Sequence, residues 1–140
     1  MASIFAYKIG DDVNVTGSIP GYIGAFHRAK VVSYVDIPVF YEVTYQDLHD
    51  EVTIWTLTEV VHGMHLRPNP PAFDVPESYQ AKALVEVWAK DAWWVGFIKR
   101  KVDRTHYEID FDHFNYHEMV VKVNHIRPHL HWTGQMFTDL

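Results

Sequence analysis

The sequence predicts an all-β protein of two small β-barrels in tandem, packed together. Three observations predict it: a block written twice, a proline-rich segment between the copies, and apolar alternation with period two. HLRP at His65 to Pro68 returns as HIRP at His125 to Pro128. With these ends aligned, GDDVNV from Gly10 matches ALVEVW from Ala83, and YEVTYQD from Tyr41 matches YEIDFDH from Tyr107. The offsets are 72 at Val13/Val85, 66 at Tyr45/Phe111 and 60 at Arg67/Arg127, so the first copy carries six extra residues in each of two intervals. Insertions of that size belong in loops, where added length costs little.

Within each copy the pattern is that of short strands. Val13 and Val15 alternate with Asp12 and Asn14, Val85 and Val87 with Glu86, and Tyr107, Ile109 and Phe111 with Glu108, Asp110 and Asp112. AKVVSYV and VGFIKRKV are rich in β-branched and aromatic residues, whereas GSIPGYIG and DHFNYHE carry turn residues. Four or five such strands in so short a segment bury one face by curling on themselves, which also removes exposed edges. The HxRP element then ends each copy, with Leu66 or Ile126 pointing inward and Pro68 or Pro128 stopping the strand. The segment PNPPAFDVPES holds four prolines in eleven residues and continues neither sheet nor helix. The expected organisation is a first repeat at 4–68, a linker at 69–78, a second repeat at 79–132 and a tail at 133–140.

Composition excludes several classes. The chain of 140 residues is 48% hydrophobic and 15% aromatic, too apolar for a disordered chain, and no apolar run approaches the roughly 20 residues of a membrane span. The start, MASIFAYKIG, has no basic residue followed by a long apolar stretch, so no secretory signal is expected. With no cysteine there is no disulfide or thiolate metal site. The formal charge of −6 disfavours a phosphate-dominated nucleic-acid surface and suits a basic partner. Ten histidines are scattered without HExxH or paired spacing; His125, His129 and His131 lie too near a strand end for an evident closed site, and no metal or cofactor is expected. Without a phosphate loop or a nucleophile–base motif, no enzyme is expected either.

Aromatic residues out of phase with the core are the candidates for binding. If Val85 and Val87 face inward, Trp88 points to the other face or lies at the barrel mouth. Trp93 and Trp94 face opposite ways, and Trp94 belongs to the barrel side because Lys99 shares the parity of Trp93. Phe111 ends its strand in phase with the core and Phe114 follows in the turn. Trp88, Trp94, Phe111 and Phe114 could thus converge at one mouth, near Asp110, Asp112 and Glu118, where a methylated ammonium group would gain cation–π attraction. An aromatic minicore is the competing account of the same spacing.

These blocks resemble the plant Agenet domain in tandem form, a relative of the Tudor domains. IGDDVNV, AFHRAKVV, YEVTYQDL and HLRPNPP, followed by LVEVWAKDAWWVGFIKRK, YEIDFD and HIRPHLHW, are similar to its paired blocks over nearly the whole chain. The resemblance implies two Tudor-like barrels packed together, a nuclear, chromatin-associated setting, and recognition of a methylated lysine on a histone tail, of the H3 kind, by an aromatic cage. It places Trp88, Trp94, Phe111 and Phe114, with Asp112, at cage positions of the second repeat. The first repeat departs from that pattern: Thr16 stands opposite Trp88, His27 opposite Trp94 and Leu48 opposite Phe114. An alternative cage there would use Phe26, Tyr45 and Trp55 with Asp47. Two rival functions stay open. One is nucleic-acid (RNA) binding through Lys99, Arg100, Lys101 and Arg104. The other is docking of an unmodified peptide or protein, with Trp88 and Trp132 buried between the repeats.

Overall fold

The structure, a computed structural model, describes residues 7–17, 24–36, 40–49, 56–71, 76–113 and 116–138. In the first repeat, β1 (Asp12–Thr16), β2 (Ala25–Asp36), β3 (Phe40–His49) and β4 (Thr56–His62) lead through a 3-10 turn (Gly63–His65) to β5 (Leu66–Pro68). The second repeats the series: β6 (Leu84–Ala89), β7 (Ala92–Lys101), β8 (His106–His113), β9 (Tyr116–Lys122), a 3-10 turn (Val123–His125) and β10 (Ile126–Pro128). Two further short strands, β11 (His131–Trp132) and β12 (Phe137–Thr138), fold the expected tail back into a ribbon. Among the described residues no helix is long and apolar enough to cross a membrane.

Each repeat is an antiparallel sheet in the order β5-β1-β2-β3-β4 or β10-β6-β7-β8-β9. Consecutive strands β4 and β5 are joined by one three-residue turn yet stand at opposite ends of that order, so the sheet must curl until its ends approach. Matching bulges permit the bend, between Val31 and Ser33 in β2 and between Ile98 and Arg100 in β7. The length differences fall at hairpin connections. Eight residues join β1 to β2 where two join β6 to β7, and six join β3 to β4 where two join β8 to β9. In the two-residue turn Lys90 (φ 50°) and Asp91 (φ 60°) both adopt positive φ, as a type I′ hairpin requires.

The inward residues include those that alternation indicated. Val13, Val15, Val31, Val43 and Leu66 fill the first core, and Val85, Val87, Ile98, Ile109 and Ile126 the second. A tyrosine latch closes each. The Tyr7 N–H donates to Tyr41 Oη (3.2 Å) and Tyr7 Oη to the Leu66 carbonyl (3.2 Å); Tyr79 N–H donates to Tyr107 Oη (3.1 Å) and Tyr79 Oη to the Ile126 carbonyl (3.4 Å). The rings meet edge-on in both copies, at 5.4 and 5.5 Å. Tyr7 and Tyr79 stand 72 apart, the offset of Val13 and Val85, so the latch belongs to the duplicated unit.

The repeats join through β2 and β7, which pair Ala25 with Trp94 and Phe26 with Trp93 and make one continuous ten-stranded sheet. Phe26 and Trp93 occupy equivalent registers in their own repeats, so the join is close to a local two-fold. Here the expected alternation is overturned in one respect. Asn14 and Glu86 point out of their curled sheets as polar residues should, but they are 1% and 0% exposed, because the other repeat covers them.

Candidate functional site

The seam is organised by the two HxRP arginines. Arg67, 3% exposed, donates from Nη1 and Nη2 to Glu86 at 2.9 and 2.8 Å and from Nε to Asn14 Oδ1 at 3.0 Å. Arg127 donates from Nε and Nη2 to Glu86 Oε1 at 2.9 and 2.7 Å, and His129 Nδ1 lies 2.7 Å from Glu86 Oε2. One carboxylate of the second repeat therefore binds the arginines of both. Burial alone would raise the Glu86 pKa, but the hydrogen bonds from His129 and Arg67 and the charges of Arg67 and Arg127 outweigh it and hold the carboxyl at about 2. Each arginine also lies over an aromatic ring, Arg67 over Phe26 at 3.5 Å and Arg127 over Trp93 at 3.8 Å from the ring centres. The duplicated HxRP thus ends strands with Leu66 and Ile126, as expected, and fastens the repeats with Arg67 and Arg127, which strand patterning missed. The available signal was the conjunction of a twice-written arginine with a lone acid, Glu86, at the register where the first copy has Asn14.

The expected second-repeat cage is only partly assembled among the described residues. Trp94 is 3% exposed and Phe111 5%, both in the second core, and the Trp94 indole N–H donates to the Ala89 carbonyl at 2.8 Å. Trp88 pairs across the hairpin with Trp93, one register from the inward pair Val87 and Trp94, so it faces away from Trp94. Its half-buried ring packs on Trp93 (5.4 Å between centres), with Arg28 of the first repeat 4.9 Å from its ring centre. Phe114 and the side chain of Asp112 lie outside the described residues.

The alternative first-repeat set is differently engaged. Phe26 lies under Arg67. Tyr45, 1% exposed, donates its hydroxyl to Glu59 (3.0 Å) and meets His27 edge-on. Asp47 accepts two bonds from Arg28, at 2.8 and 2.7 Å. Trp55 lies outside the described residues. His27, opposite Trp94 in the duplicated scheme, is buried, and that burial holds its pKa below the ordinary value against the raising contact with the Asp91 backbone.

Two grooves open along the seam. One, of about 230 Å³, runs between Phe26, His65, Arg67, His129 and Trp132. Trp132, half-buried, packs on Phe137 of the tail ribbon. The other, of about 380 Å³, lies between Arg28, Trp88, Trp93 and Arg127. The basic run at the end of β7 is partly neutralised, since Glu108 takes Lys99 at 3.8 Å and Arg100 at 2.6 Å. Asp103, Thr105 and His106 cluster in the following turn, but the acid and the hydroxyl both approach the same imidazole nitrogen, Nδ1, at 3.0 and 2.7 Å. A relay needs opposite nitrogens, so the cluster is a turn and not a catalytic triad.

Paired curled sheets with aromatic faces along a hydrogen-bonded seam define a binding module of Tudor-like kind. Residues 10–71 match the family model of the Agenet domain. That segment carries an Agenet domain, a family of binding modules and not of enzymes, and the rest of the chain shares the tandem fold of the solved structures below. Over 92 residues it is 32% identical to Protein AGENET DOMAIN (AGD)-CONTAINING P1 of Arabidopsis thaliana, taking in 66% of this chain and spanning 17% of that protein's length. The crystal structure of Arabidopsis thaliana AGDP1 AGD34 superposes with a TM-score of 0.85 and 25% identity over 98% of this chain and 90% of that one. ADCP1 tandem Agenet domain 3-4 shares the fold, with a TM-score of 0.82 and 24% identity over 98% and 89% of the two chains.

Proposed function

We propose that this chain is a chromatin reader module, acting in the nucleus, that binds a methylated lysine on a basic histone tail, of the H3 kind, at the mouth of the second repeat. Trp94 and Phe111 form the floor, Phe114 the rim and Asp112 supplies a carboxylate, while Trp88, which faces away from Trp94 and packs on Trp93, joins the cage by turning toward that mouth. The observation that carries this choice of repeat is the state of the alternative set. Phe26 is under a guanidinium, the Tyr45 hydroxyl is committed to Glu59 and Asp47 is committed to Arg28. The half-buried Trp88 has no aromatic counterpart in the first repeat, where Thr16 takes its place. A formal charge of −6 favours a basic tail over RNA, and Glu108 already offsets part of the basic run that RNA would use.

One contact favours the docking reading: Arg28 of the first repeat rests on Trp88, as it would if that indole served the seam alone. Titration calorimetry of matched methylated and unmethylated histone peptides separates the two. The cage requires methylation to strengthen binding, and Trp88→Ala to weaken the methylated complex about five- to hundred-fold, a loss of about 1–3 kcal/mol, with the fold retained. Equal affinity for both peptides establishes docking instead, and loss of binding in Phe26→Ala but not Trp88→Ala moves the cage to the first repeat.

A further inference from the structure

The larger seam groove carries more positive charge than the chain as a whole would suggest. Its described lining includes Arg28 and Arg127 and no carboxylate; behind it those two and Arg67, which lines the adjoining groove, meet two carboxylates, Glu86 and Asp47. Glu86 is 0% exposed and its oxygens already accept from Arg67, Arg127 and His129, so it has little left for a further donor. The guanidiniums have donors to spare. Arg28 uses Nε and Nη2 on Asp47, and Arg127 uses Nε and Nη2 on Glu86 and Asn14, which leaves the Nη1 group of each outside those bonds. Asn69, on the same groove, spends its carbonyl oxygen on Asn14 at 3.4 Å and keeps its amide N–H groups. The arginines also repel one another. Burial first, and then, against the raising effect of Glu86, the charges of Arg67 and Arg28 hold the Arg127 pKa below its ordinary value. An arriving anion would relieve that repulsion.

We infer that this groove is an oxyanion subsite, which takes the phosphoryl group of a phosphorylated serine or threonine in a peptide between Arg28, Arg127 and Asn69, against the indoles of Trp88 and Trp93. A phosphoryl group supplies up to two negative charges and three strong acceptor oxygens, matching donors on two guanidiniums and an amide better than a carboxylate's single charge and two oxygens. The groove volume of about 380 Å³ admits the side chain that bears it. A nucleic acid presents the same group but as a polyanion, and beyond this groove it meets a chain of charge −6. The subsite shares Trp88 with the methyl-lysine reading but does not rest on it, since its probe carries no methylated residue.

The test uses the whole chain and a phosphoserine peptide beside its unphosphorylated twin, followed by tryptophan fluorescence and by the indole N–H resonances of Trp88 and Trp93. The phosphorylated peptide is expected to bind about tenfold or more tightly than its twin, the gain of one charge-assisted hydrogen-bonded contact. Inorganic phosphate should shift both indole resonances. Arg28→Gln should abolish the difference between the peptides, whereas Lys30→Gln, which changes another exposed cation on the same strand, should preserve it. Equal binding of the twins, or a preference that survives Arg28→Gln, overturns the subsite. A short RNA that binds more tightly than the phosphopeptide and displaces it replaces the peptide with a polyanion. If Arg28→Gln does not fold, the response of the two indoles of the parent to inorganic phosphate decides the matter.

Discussion

Replacing Glu86 by glutamine removes one negative charge from a site where it holds two arginines and a histidine. Arg67 and Glu86 are 3% and 0% exposed, and the Arg127 side chain is 16% exposed, so water cannot take over the lost role. The bonds at stake include charge-assisted contacts of 2.7 to 2.9 Å, and an amide NH2 would face donors where an oxygen now accepts. Breaking a buried pair by removing one partner costs about 3–5 kcal/mol, a large share of the roughly 5–15 kcal/mol by which a protein is stable. Because Arg67 belongs to the first repeat and Glu86 to the second, the loss should appear in both. Urea unfolding followed by amide resonances of Val31 and Val43 in one core and Ile98 and Ile109 in the other would read it. Parent and variant should each show coincident transitions, with the variant lowered by that amount in both cores. A first-repeat midpoint that stays in place while the second falls, or a loss below about 1 kcal/mol, refutes the seam as the coupling element.

Four further outcomes follow from the packing and titration of the two cores and the seam. Trp94→Ala should cost about 3–5 kcal/mol in thermal or urea unfolding, because the indole is buried and hydrogen-bonded to Ala89; it therefore tests the core more than the cage. Gly96→Ala should cost about 1–3 kcal/mol, since its Cβ would lie 2.8 Å from Ile109 and 3.1 Å from the Asp110 carbonyl, and a lowered melting temperature would register it. The Glu86 carboxyl falls from an ordinary 4.5 to about 2 in the fold, so its stabilisation is complete above about pH 4.5 and is lost as pH falls towards 2. That amounts to about 3 kcal/mol, seen as an acid slope in stability that Glu86→Gln makes shallower. At the other extreme Tyr7 and Tyr79, raised to about 12 chiefly by burial, stabilise fully below pH 10 and lose that contribution from there to about 12; stability curves taken alongside tyrosinate absorbance would show it.

Much of the fold was legible in the sequence because it is local or periodic. Alternation assigned Val13, Val15, Val85 and Val87 to the cores, since a one-residue slip in a strand would turn every side chain to the wrong face. The three offsets located both copies, and the extra length lies in hairpin connections that tolerate it. The inward placement of Trp94 followed from the parity that Lys99 shares with Trp93, and that of Phe111 from its phase in β8. Tyr7 and Tyr79 were written at the common offset of 72, yet their role depends on Oη reaching the carbonyls of Leu66 and Ile126, contacts 59 and 47 residues distant in the chain.

The tertiary structure alone decided what covers each outer face. Period two records that Asn14 and Glu86 point away from their own cores, and it reads the same whether water or protein lies beyond. Pairing β2 with β7 supplied protein, so residues patterned as solvated became the buried partners of Arg67 and Arg127. The same join gave Trp88, already paired with Trp93 across its own hairpin, its neighbour Arg28. A strand's sequence fixes the direction of a side chain relative to its own sheet, whereas the medium it enters depends on a second surface arriving from elsewhere in the chain.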